Sequence, residues 1–198
     1  GGDDVASLSF FPGMKLRGAE KTERVAALLG LLREHFAVVS MEEHAEALEL
    51  LVDATRKSGD PEALHDALVR SAPLEADPER STALWAEAAQ VAEIHLSEPA
   101  LALADLEQLL AVDESHANAW NKLLSLLTAA ADYERLAEAL GRRVMLVDDV
   151  GERRDLRYRL ANVLVDRLDR ADDGIATYQD MLSDRPDDHE AMHELEVL

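Results

Sequence analysis

The sequence predicts an all-α fold, an α-solenoid in which antiparallel helix pairs stack one on the next. Three observations predict it. Apolar residues recur at helical spacing along most of the chain, and no stretch shows strand-like alternation flanked by turn residues. Gly, Pro or Asp stands at most of the joints between periodic stretches. From about residue 51 to the C-terminus the chain also repeats itself at a single gap-free offset of 72 positions.

Taken in order, residues 1–20 carry Gly, Pro and Ser punctuation and no helical period. They read as an irregular strap docked on the first helix, its Phe10 and Phe11 supplying the contact, or as a linker from a larger chain. A helical domain is expected over 21–198. Thr22 can cap a helix whose Val25, Leu28, Leu29, Leu32 and Phe36 share one face. Ser40 and Glu43 form a capping box that opens a helix running to about Ser58, where Gly59-Asp60-Pro61 ends it. Its partner covers about 62–72, and Pro73 and Pro78 bracket the next connection. Further helices are expected at 79–96, 99–112, 116–130, 133–147, 151–168, 172–183 and 188–198. The pairs are therefore about 42–73, 79–112, 116–147 and 151–183, with a final helix at 188–198. Leu84, Ala88, Val91, Leu156, Leu160 and Val163 are expected in the core.

The stretch from Asp172 to Ala191 shows the logic of one joint. Gly174 lets a neighbouring helix approach closely, and Tyr178, one turn later, can fill the gap beside it. Pro186 donates no amide, so the helix stops before it. Asp187 or Asp188 then caps the next helix. The same stretch recurs at Ala100–Trp120: Leu182 falls on Leu110, a separation of 72, and Ala191 on Ala119. Upstream, Ala161 falls on Ala89 and Leu156 on Leu84, while Asp132, Leu136 and Leu140 fall on Asp60, Leu64 and Leu68. Single matches are cheap in an Ala- and Leu-rich chain; one register held across every breaker is not.

Each 72-residue block divides into two helix-turn-helix units of roughly 36 residues, close to the 34 of the tetratricopeptide (TPR) repeat. Trp85 and Trp120 stand where that family places its first-helix tryptophan, Leu123 completes W-x-x-L, and Asp132-Tyr133 matches its internal turn. The chain resembles the family through degenerate repeats. Leu124 and Asn162 stand at or beside the helix-A glycine, Leu136 replaces a small residue, and Glu114 replaces the proline. This pattern is similar to repeat arrays in large bacterial proteins. The resemblance implies a right-handed superhelix whose concave groove, lined by the first helix of each pair, holds a protein or extended peptide.

Composition narrows the function. With 198 residues, 47% hydrophobic but only 4% aromatic, the chain suits thin Ala/Leu interfaces between helices. The absence of cysteine removes disulfides, thiol nucleophiles and thiolate metal sites. No apolar run is long enough to span a bilayer. A net charge of −21 argues against binding nucleic acid or an anionic membrane, which both need a basic patch. That acidity either keeps an extended surface in solution or selects a basic partner. A cytoplasmic location is expected. The chain begins Gly-Gly rather than with Met and stops at Leu195-Glu196-Val197-Leu198 inside a helical pattern. Those four residues also resemble the start of a protease site used in expression tags, so an artificial boundary is expected there.

No catalytic motif is present: GxGxxG, GxxxxGK[ST] and GxSxG are all missing, and 41 acidic residues make adjacent carboxylates uninformative. The expectation is no enzyme and no cofactor. His189 and His193 lie i,i+4 on one helix face, but HExxH order and a third ligand are missing, so no metal is expected. Arg142-Arg143 and Arg153-Arg154 flank Gly151; they read as cations near a helix C-terminus, or alternatively as a phosphate patch. The resemblance places the groove at Glu49 and Asp53, Ala86, Gln90 and Glu93, Asn121 and Ser125, then Tyr158, Asn162 and Asp166. These residues lack the cations that carboxylate-clamp members of the family use. Asn121 and Asn162 can pair with an extended backbone, and Tyr158 offers an aromatic platform. A structural spacer, a regulatory domain of a larger bacterial protein attached to an enzyme outside this chain, and self-association through open solenoid ends remain as alternatives.

Overall fold

The computed structural model describes residues 41–198. The strap with Phe10 and Phe11, the helix from Thr22, and the Ser40 cap lie outside the described residues. The described chain holds nine α-helices and no strand. They are α1 (Met41–Ser58), α2 (Pro61–Ser71), α3 (Pro78–Gln90), α4 (Pro99–Val112), α5 (Ala117–Ala129), α6 (Tyr133–Leu146), α7 (Val150–Asp166), α8 (Ala171–Asp184) and α9 (His189–Val197). Ala47–Leu198 forms one compact unit. Within it, the main contacts from α2 onward run between helices consecutive in sequence. This is the nearest-neighbour packing of a helical-repeat array.

Local chemistry sets the joints. Asp60, Asp77, Asp132, Asp149 and Asp188 each cap a helix by accepting amides of its first turn. His116 does the same through Nδ1, which accepts from the Ala119 amide at 3.1 Å. Of the two aspartates expected at the α8–α9 joint, Asp188 is the cap. Pro61, Pro78 and Pro99 occupy first turns, where the missing N–H costs nothing.

The 72-residue repeat is written into the backbone. All four described residues in the left-handed region form two such pairs: Gly59 (φ 73°) with Ala131 (φ 54°), and Ser97 (φ 57°) with Asp169 (φ 55°). The hydrogen bonds that turn the chain there also correspond. Leu96 N–H reaches Val91 O at 3.1 Å and Leu168 N–H reaches Val163 O at 3.2 Å. Glu98 N–H reaches Ala92 O and Arg170 N–H reaches Leu164 O, at 2.9 and 2.8 Å.

These bonds explain two differences from expectation. The helix expected over 79–96 is α-helical only to Gln90 and continues as a π turn over Val91–His95. Likewise α7 ends at Asp166 rather than at 168. In both copies an amide reaches back five residues rather than four, and the next residue turns left-handed.

The core is an Ala/Leu seam. Its main cluster runs from Ala72 through Trp85, Leu109, Trp120, Leu127 and Leu140 to Leu156. A second cluster joins Val52 of α1 to Ala67 and Leu68 of α2 and to Ala88 and Val91. A third gathers Ala161, Tyr178, Met181 and Ala191. Ala88, Val91 and Leu156 are buried as expected. Leu84, Leu160 and Val163 are only half-buried; each packs on the main cluster while keeping part of its surface open. Gly174 is buried against α7, where an added Cβ would collide with Val165 Cγ2 and lie 3.4 Å from Ala161 O.

Candidate functional site

The ten expected groove residues sit on four first helices, Glu93 in the π turn that continues α3, though not as one uniform surface. Glu49 and Asp53 are exposed on α1, and each already has a cation. Arg80 donates to Glu49 at 2.7 Å, and Arg56 lies 3.2 Å from Asp53. Asn121 and Ser125 are exposed on α5. Asp166 is exposed at the end of α7 and forms no ion pair among the described residues. Gln90 and Glu93 meet at an open-sided cavity of about 330 Å³ between α3 with its π turn, α4 and α5.

The cavity follows from side-chain size. Ala86 and Ala89 line the α3 wall, Ala102, Leu106 and Leu109 the α4 wall, and Ala119 and Leu126 the α5 wall. Most of these are buried, so the interior is apolar. Gln90, Glu93, His116, Asn118 and Lys122 supply polar atoms around it. Lys122 Nζ lies 2.6 Å from Glu93 Oε2. Ile94 stands beside them with 59% of its surface exposed. An apolar chamber with a few convergent polar groups, in this size range, is the usual form of a recognition site. The sequence pointed to Ala86, Gln90 and Glu93, but not to Ile94, Asn118 or Lys122.

At the corresponding positions 72 residues on stand two aromatic residues. Tyr158 stands where Ala86 is and Tyr178 where Leu106 is. Their ring centroids lie 6.0 Å apart, edge to face at 64°. The Tyr178 hydroxyl donates to Asn162 Oδ1 at 2.5 Å and the Tyr158 hydroxyl to Glu194 Oε1 at 3.2 Å. Burial, with Glu194 close by, pushes both phenols above their ordinary pKa. Arg154 lies over the Tyr158 ring, 5.5 Å from its centroid. The expected platform of Tyr158 and Asn162 is thus already engaged within the fold.

The arginines flanking Gly151 are occupied as well. Arg142 reaches Glu114, Arg143 reaches Glu152, and Arg153 donates to the carbonyls of Val147 and Asp148 just past α6. Arg154 grips Asp188 with two bonds of 2.7 and 3.0 Å and also pairs with Glu190. The Arg154 guanidinium holds the Asp188 carboxyl down at about 2. This is cation placement at a helix end and interhelical pairing, each of the four arginines having a partner among the described residues.

His189 and His193 are exposed on α9, and no group of three potential metal ligands occurs among the described residues. One pair went unseen in the sequence: His65 Nε2 of α2 lies 2.8 Å from Asp105 Oδ2 of α4, both largely buried. Burial pushes the Asp105 carboxyl up, partly offset by the His65 hydrogen bond. No described helix is long and apolar enough to cross a membrane.

No protein-family model matches the chain, and no curated protein does. Among solved structures, the crystal structure of MamA is similar at 22% identity, covering 74% of this chain and 81% of that one, with a TM-score of 0.42. MamA 41-end from Desulfovibrio magneticus RS-1 is similar at 18% identity over 79% and 84% of the two chains, TM-score 0.40. A thermophilic TPR protein of Thermus thermophilus is similar at 19% identity over 88% and 76%, TM-score 0.37. Likenesses this distant say nothing of function. On the strength of its own helix pairs and 72-residue repeat, the described chain has a TPR-like helical-repeat fold.

Proposed function

We infer that the chain is a non-catalytic scaffold that holds a protein or an extended peptide in a concave groove lined by the first helices. The observation that supports it is the cavity between α3, α4 and α5, with Gln90 and Glu93 at the groove positions and an apolar interior. Neighbouring Asn121 and Ser125 present donors and acceptors to a backbone lying across α5. Their partner-binding role, and that of Glu49, Asp53, Tyr158, Asn162 and Asp166, belongs to the same reading. Charge selection of a basic partner is weaker here than net charge alone suggests, because Glu49, Asp53 and Glu93 have internal cations.

The experiment is selection of peptides from a display library on the immobilised chain, followed by chemical-shift mapping of the tightest binder. The reading expects perturbations on α3 and α5 around Gln90, Glu93 and Asn121. Perturbations confined to the second helices, α4, α6 and α8, contradict it.

A further inference from the structure

Resting on the scaffold reading, we propose that the α3–α4–α5 cavity receives a tyrosine side chain of the bound partner, in the place that Tyr158 fills at the following repeat. The two sites share a helix framework: α4 and α8 begin and end 72 residues apart, α5 and α9 begin 72 apart, and the turn at Ser97 matches that at Asp169, while the π turn at Val91–His95 belongs to the open copy alone. They differ in side-chain volume. Ala86 and Leu106 leave open the space that Tyr158 and Tyr178 fill. The fold therefore carries its own example of a phenol ring seated against this helix arrangement.

One of the two polar positions keeps its chemistry, and the other changes from acceptor to cation. Each phenol of the filled copy ends on a side-chain acceptor, Asn162 Oδ1 or Glu194 Oε1. At those positions the open copy has Gln90 and Lys122, with Glu93 paired to Lys122. A guest hydroxyl can donate to Gln90 Oε1 or to Glu93, and can accept from Lys122. A benzyl ring fills the same space but forms none of these hydrogen bonds, so tyrosine is favoured over phenylalanine. The entrance differs in the same direction: exposed Ile94 stands where the filled copy has Asp166, adding apolar contact for an arriving side chain.

The test uses p-cresol, the tyrosine side chain cut at Cβ, as probe on the full chain, read by methyl spectra of alanine and leucine. Expected are shifts at Ala89, Ala102, Leu106 and Leu126, binding about tenfold weaker for toluene, as loss of one hydrogen bond to a charged group gives, and loss of binding in Ala86→Tyr. Ala86→Leu, a smaller filling, serves should Ala86→Tyr not fold, and is expected to weaken p-cresol in the same way. Unshifted cavity methyls, equal binding of toluene, or undiminished binding in a folded Ala86 variant overturns the proposal. Library-selected peptides separate the two readings. Peptides that bind α3 and α5 regardless of Tyr→Ala in the peptide and of Ala86→Tyr in the chain overturn the tyrosine assignment and leave the scaffold standing. Entry of p-cresol into a chain that binds no peptide keeps the phenol preference of the cavity and removes the scaffold.

Discussion

Asp188→Asn tests how the α7–α9 contact is held. Asp188 has two roles: it caps α9 through the Ala191 amide, and it takes both bonds from Arg154 at 2.7 and 3.0 Å. Asparagine caps a helix as well as aspartate does, so the substitution removes charge while leaving the cap. The Asp188 side chain is only 4% exposed, so solvent screens the pair little. Arg154 holds the carboxyl at about 2 instead of the ordinary 3.8. A carboxylate shifted that far stabilises the fold by about 2.5 kcal/mol where both states are ionised. The sign is that of a depressed acid. The contribution is complete above the unfolded-state value and is lost as pH falls through the folded one. The wild type should therefore exceed the variant by about 2.5 kcal/mol at pH 6 and by about half that at pH 3. Urea unfolding followed by circular dichroism at both pH values gives the difference, and hydrogen exchange should place the loss in α7–α9. A difference that stays constant with pH, or a variant as stable as wild type at pH 6, refutes the reasoning.

Other substitutions probe other joints. Gly174→Ala should destabilise by about 1–2 kcal/mol, overpacking against Val165 outweighing the better helix propensity. Val165→Ala in the same chain should recover most of the loss in thermal unfolding. Ala131→Gly should stabilise by roughly 1 kcal/mol, since glycine removes the left-handed strain that Gly59 avoids in the other copy; chemical denaturation reads it. His65→Ala leaves the buried Asp105 carboxylate without its partner and should cost about 1–3 kcal/mol near neutral pH. Because the Asp105 carboxyl is raised, the cost should shrink as pH falls and it takes up a proton, read from urea midpoints across a pH series.

The joints were legible because their causes are local. Asp60 with Pro61, and Asp132, announce a cap whatever surrounds them. The repeat was legible because breakers and apolar positions keep one register. The π turn at Val91–His95 was not, since it depends on which carbonyl the Leu96 amide reaches. Nor was the partial exposure of Leu84, Leu160 and Val163, which apolar character alone does not set. The candidate site was half legible. Family spacing found Gln90 and Glu93, but a cavity is missing volume, and no residue pattern names it. Its trace lay in the 72-residue alignment, where Ala86 faces Tyr158 and Leu106 faces Tyr178. The His65–Asp105 pair joins residues on helices that only the fold brings together.

The most direct measurement is a crystal structure of the chain with its tightest library-selected peptide. The account predicts the peptide backbone lying across the first helices near Gln90 and Asn121, with one aromatic side chain seated between Ala86, Ala102 and Leu106. A peptide bound along the second helices, with that cavity left open, would contradict it.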